Sequence, residues 1–174
     1  FPVPIFIAAI MTGFFVVRLV RGETHPTLLA LIAVCAVQSA VIALVQHYGV
    51  AALRPVQPIL ALVIPAVGWA AFDQAAGTGT RRWVWHAAGP VAGLACLVFQ
   101  PMFLDLLIPL AFLAYGTAML VRLAGGEDSL PHSLLDNGVR SLVAWRVLAF
   151  ALIASALCDV LLAYGHAQGG IGGL

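Results

Sequence analysis

Lysine is absent from this sequence, so all eight basic residues are arginines. Charge of either sign is scarce: Asp, Glu, Lys and Arg make up 9% of the 174 residues, where soluble domains carry roughly 25%. With 63% hydrophobic residues and a mean hydropathy of +1.06, the chain has too little polarity to cover a water-facing surface. A soluble globular domain is excluded, and an integral membrane protein is expected. The formal net charge of +1 is spread singly or in pairs along the chain. No basic patch for nucleic acid exists. The three cysteines, Cys35, Cys96 and Cys158, all lie in apolar runs without CxxC or Cys/His spacing. That removes a disulfide framework and a zinc site.

Catalytic signatures are missing too. No GxSxG, HExxH or glycine-rich phosphate loop occurs, and Ser39 with His47 lacks a glycine elbow. No enzyme and no cofactor is expected. The sequence opens on Phe1 rather than methionine, and no charged region precedes the first apolar run. That run does not read as a signal peptide, and the chain is expected to be a piece of a longer protein.

Long apolar runs are what the chain does have. A helix crosses the bilayer core with about 20 predominantly apolar residues. Six such spans are expected, at 2–20, 27–48, 55–73, 84–100, 102–122 and 142–165. The fold class is therefore all-α, a single transmembrane bundle of six helices over 1–174. Pro58, Pro65, Pro90 and Pro109 fall inside these spans, where packed neighbours can satisfy the freed carbonyls. Within the connection 123–141, Ser129 is expected to cap a short helix whose Leu130, Leu134 and Leu135 face lipid headgroups. Gly89 and Gly93 form a GxxxG that permits close helix packing within the chain or a homodimer.

Alternating the loops places Arg18, Arg21, Arg81, Arg82, Arg122, Arg140 and Arg146 on one side and Arg54 alone on the other. The positive-inside rule makes the first side cytoplasmic and puts both ends of the chain outside. Trp83 and Trp85 beside Arg81 and Arg82 fit an interfacial belt, as does Tyr48 opposite.

The outward half then gathers His47, Tyr48, Arg54, Gln57, Asp105, Asp159, Tyr164 and His166. An aspartate at the membrane centre costs about 2.5–3.5 kcal/mol on insertion scales, and less toward the interface. Arg146, 13 residues from Asp159 on the same helix, is about 20 Å away and cannot be its counter-ion. Arg54 is expected to pair with Asp159, Asp105, or both. Two readings stand. One is an outward-facing pocket for a small ligand, cation or proton, with Arg54, Asp105, Asp159, His47, Tyr48 and Gln57 as candidate ligand-binding residues. The other is an ion pair that fixes helix register. Gln38 and Ser39, mid-span, read as interhelical hydrogen-bonding groups. A metal site from His47, His166, Asp105 and Asp159 has no ligand spacing behind it, so no metal is expected.

Several pieces together resemble a known group. These are "VQS" at 37–39, "HYGVAALRPVQP" at 47–58, "PAVGWAAF" at 65–72 and "SALCD" at 155–159. In order and spacing they are similar to the N-terminal membrane domain of bacterial AraC-type transcriptional regulators, along nearly the whole chain. That resemblance implies a sensory domain of the bacterial inner membrane signalling to a cytoplasmic helix-turn-helix domain. No binding residue carries over from it. The chain contains no DNA-binding segment and ends in "GHAQGGIGGL", so DNA would be reached only through a C-terminal domain absent here. Six spans leave the C-terminus outside, so a seventh span is expected in the parent protein. The alternatives are a small transporter or channel subunit, or a structural subunit of a membrane complex. Transport would require polar residues across the full thickness, and the sequence offers little between the two polar ends besides Gln38 and Ser39.

Overall fold

The computed structural model describes residues 2–22, 25–77, 83–125 and 138–167. It is all-helical among these residues: α1 (Val3–Val20), α2 (Pro26–Gln46), α3 (Val56–Ala75), α4 (Trp83–His86), α5 (Ala88–Phe99), α6 (Leu104–Leu123) and α7 (Gly138–Ala167). Short 3₁₀ turns at Ala51–Leu53 and Pro101–Phe103 lead into α3 and α6. Five helices are long and apolar enough to cross a membrane, α1, α2, α3, α6 (extended back to Pro101) and α7. A multi-pass membrane protein fits this composition and architecture. The expected capped helix from Ser129 lies outside the described residues.

The fourth expected span departs from expectation. Instead of one helix over 84–100, the chain forms the four-residue α4 and the twelve-residue α5, separated at Ala87. Pro90 supplies the reason. Its ring excludes the carbonyl four residues back, that of His86, and it has no N–H to donate there. The helix therefore stops at His86 and restarts with Pro90 inside a first turn, where a missing donor costs nothing. Pro65 and Pro109 are instead held inside α3 and α6 without ending them.

Packing fixes the helix directions. Thr27 of α2 donates a hydrogen bond to the Gln74 side-chain oxygen of α3, and Leu31 of α2 reaches Gly68 of α3, so these two run antiparallel. Asp73 meets Arg122 and Trp69 stacks with Tyr115, so α3 and α6 run parallel. A return passage between them is required, and α4 with α5 provides it. Gly93 of α5 sits against Leu62 of α3 and beside Leu104 of α6. A methyl group there would collide with Leu62, whereas Gly89 faces open space. Of the GxxxG pair, Gly93 serves packing within the chain.

The last pair, α6 and α7, is antiparallel and packs tightly at Gly116. A Cβ at that position would lie 2.8 Å from Ile153 Cγ1 and 3.0 Å from the Ala149 carbonyl oxygen. One core cluster joins α3, α6 and α7 through Phe72, Phe112, Met119, Leu123, Leu142, Ala149, Leu152 and Ala156. By contrast α1 packs on α2 and buries none of its residues. Its exposed Val, Ile and Phe side chains match what a lipid-facing helix shows.

Candidate functional site

The two ends of the helix set differ in kind. At the arginine-rich end, Arg122 Nη1 donates to Asp73 Oδ1 at 2.8 Å. The Asp73 side chain is 8% exposed and that of Arg122 36%. The guanidinium also lies over two aromatic faces, 5.6 Å from the Trp69 ring centroid and 5.8 Å from that of Phe72. Such cation–π placement adds to the ion pair where water is partly excluded. Around it, His86 Nδ1 and Tyr115 Oη share a hydrogen bond of 2.9 Å, and both rings pack beside Trp69. Phe72 meets Trp145 of α7 edge-on at 5.6 Å. Arg146 Nη2 donates to the Leu123 carbonyl at the C-terminal end of α6, where a cation is favoured by the helix dipole.

One residue cluster thus fastens α3, α4, α6 and α7. Sequence reading did not single out Asp73, His86, Tyr115 or Trp69. The signal for Asp73 and Arg122 was present: they are the last residues of spans 55–73 and 102–122, which end on the same side. His86 and Tyr115 carried none, because their meeting depends on the helix break at Ala87.

The opposite end carries the residues expected to form a site, and the structure does not bring them together in the way expected. Arg54, Asp105 and Asp159 are all exposed, and among the described residues Arg54 forms no ion pair with either aspartate. Arg54 lies between the 3₁₀ turn and α3, Asp105 in the first turn of α6, and Asp159 on α7. His47 and Tyr48 are exposed and pack on each other edge-on at 5.1 Å; Gln57 is half-buried. Asp105 sits where a carboxylate suits the helix dipole. The side chain of His166 lies outside the described residues, and no group of three or more metal-ligating side chains occurs among those described.

The failure to pair has a structural cause. The packed face of α7 ends at Ala156, which is fully buried, and every residue from Leu157 to Tyr164 is exposed. Asp159 lies in this exposed stretch, beyond the packed core. Mid-span, Gln38 is 8% exposed, and its Oε1 is buried without a hydrogen-bond partner. The interhelical bond expected of it is not formed. Ser39, next to it, is half-buried.

No protein-family model matches the chain, and no curated protein or solved structure matches it either. The likeness to AraC-type membrane domains rests on the sequence pieces quoted above.

Proposed function

We propose that this chain is a membrane-embedded sensory domain that takes up a small ligand or a proton at its outward end and passes the change to a transcriptional output. The observation that supports it is the asymmetry of the bundle. Helices α3, α4, α6 and α7 are fastened at the arginine-rich end by Asp73–Arg122 and the surrounding aromatics. At the other end the residues of α7 from Leu157 to Tyr164 are exposed, and Asp159 stands among apolar residues there. A body fixed at one end and loose at the other can occupy two arrangements, and a ligand that prefers one of them shifts the balance. The arginine distribution orients the fastened end to the cytoplasm of a bacterial inner membrane and the loose end to the periplasm. A DNA-binding output belongs to this proposal through the AraC-type resemblance. A transporter is disfavoured because there is little polar between the two ends of the spans besides Gln38 and Ser39.

Thermal unfolding of the purified chain in detergent tests this. Wild type is compared with Asp159→Asn and Arg54→Gln between pH 5 and 8, against small metabolites and divalent cations. The expected outcome is a solute or pH step that stabilises wild type and leaves both variants unmoved. If both variants merely lose stability and nothing moves wild type, the outward residues are structural and the proposal fails.

A further inference from the structure

Two exposed stretches lie at the outward end of the molecule. One is the turn from α2 to α3, where residues 46–52 and 54–56 are exposed. The other is 157–164 of α7, exposed on every side of the helix. Gly68 of α3 relates them. Leu31 of α2 lies 3.9 Å from the position of its missing side chain, and Leu148 of α7 lies at 4.0 Å, so these three helices share one side of the molecule.

Both stretches are largely apolar, with Tyr48 and Val50 exposed on the turn and Leu157, Leu161 and Tyr164 on α7. Each carries one charge, and the two are opposite: Arg54 on the turn and Asp159 on α7. Among the described residues neither is held in an ion pair.

Their depths match. Asp159 lies six residues before the end of the apolar span Ser141–Gly165, about 9 Å inside it. Its short side chain has no stem with which to reach the interface, unlike lysine or arginine. A carboxylate in that position calls for a partner. The level of Arg54 follows from the pairings of α3 with α7. Gly68 is level with Leu148, and Phe72 with Trp145. Continued outward, that register puts Arg54 about 5 Å, one turn, beyond Asp159, a distance that an arginine side chain bending inward covers.

We infer that the chain associates with a second copy of itself through this outward end. Residues 157–164 of α7 lie against the α2–α3 turn of the other copy, with Asp159 on Arg54. A two-fold axis along the membrane normal leaves every residue at its own depth and makes each contact twice. The occupant is a second copy because this one chain supplies both opposite charges, at matching depth, each within an apolar stretch. A phospholipid fits less well. Its phosphate suits Arg54, but the ammonium of an aminophospholipid lies outward of the phosphate, away from Asp159. Gly93 is already closed against Leu62, which leaves the GxxxG of α5 without the paired glycines of a dimer face. The dimer forms whether or not a solute binds, and so stands apart from the sensory reading.

Cross-linking between differently tagged chains tests this. With Cys35, Cys96 and Cys158 replaced by alanine, one chain carries Arg54→Cys and the other Asp159→Cys, and the two are reconstituted together in phosphatidylcholine liposomes. A mixed pair keeps one contact between Arg54 and Asp159 and places the two cysteines at the other. Oxidation is expected to give a disulfide-linked product bearing both tags, in several-fold greater yield than either variant gives with itself. Photobleaching counts of fluorescent chains in the same liposomes measure the affinity. Arg54→Gln and Asp159→Asn should each weaken pairing about tenfold or more, and Arg54→Asp combined with Asp159→Arg in one chain should restore it. If the exchanged chain does not fold, the uncharged cysteine variants still decide.

A chain carrying both cysteines that closes only on itself, with no mixed product, places the contact within one copy and overturns the inference. So does a wild type that stays monomeric at every protein-to-lipid ratio, which leaves Arg54 to lipid phosphate. Dimers that survive both neutral variants, or that cross-link more readily through Gly89→Cys, put the interface elsewhere and overturn it as well. None of these results bears on whether a solute or proton acts at the outward end, which the unfolding experiment above decides.

Discussion

Asp73 and Arg122 show how far a single ion pair in this chain depends on its surroundings. The carboxylate is buried and the guanidinium reaches solvent, so loss of the arginine leaves the more costly residue behind. Arg122→Gln is expected to lower stability by about 1–3 kcal/mol, and Asp73→Asn by less. A double-mutant cycle on thermal unfolding measures their coupling, expected at about 0.5–3 kcal/mol for groups in contact; a coupling of zero would show the pair to be incidental. Two glycines make a sharper contrast. Gly116→Ala drives a methyl group into Ile153 and the Ala149 carbonyl, so the α6–α7 contact must open and the unfolding temperature should fall. Gly89→Ala meets nothing and should be neutral or stabilising by up to about 1 kcal/mol, since Ala is the better helix former. Equal effects at the two positions would contradict this packing.

Among the elements, α7 is the one whose two halves differ. Its inward half is sealed by Leu142, Ala149, Leu152 and Ala156, while Ser155 and Asp159 remain exposed on the side that holds Trp145 and Leu148 against α3. Val147 is exposed as well, about 100° around the helix from Leu148. With Cys35, Cys96 and Cys158 replaced, Ser155→Cys should react with a water-soluble maleimide in nanodiscs and Val147→Cys should stay unreactive. The reverse pattern would mean that α7 closes on α3 in a bilayer. Element identity was largely legible in the sequence, because apolar length alone reports a spanning helix. Spans 2–20 and 55–73 correspond to α1 and α3 within two residues. The break at Ala87 was not, though Pro90 was in view: a proline can be absorbed, as Pro65 is, or can end a helix, and neighbours decide which. The candidate site is a different case. Helix direction and sidedness both put Arg54 and Asp159 at one end, but whether two such residues meet depends on how the helices pack there. No one-dimensional pattern states that.

For the molecule as a whole, the helix directions sort Asp73, Arg122 and Arg146 to one end and Arg54, Asp105 and Asp159 to the other. The arginine bias predicts which end is cytoplasmic. In inverted and right-side-out vesicles, single cysteines at Ala51 and Ala124, both exposed, should be labelled from opposite faces, Ala124→Cys from the cytoplasmic one. Labelling of both from one face would remove the topology on which the proposed outward site depends.

The break at Ala87 also has a mechanical consequence. The apolar stretch of α7 runs Ser141–Gly165, about 37 Å of helix, while α5 offers about 18 Å, against a hydrocarbon core of about 30 Å. One flank is therefore too long for the bilayer and the other too short, so lipid must thicken or α7 must tilt on one side while the membrane thins beside α5. Stretching the bilayer relieves the mismatch at α5 and worsens it at α7. With both helices in a bilayer, lateral tension would act as a torque on this protein, applied through the two helices that flank α6.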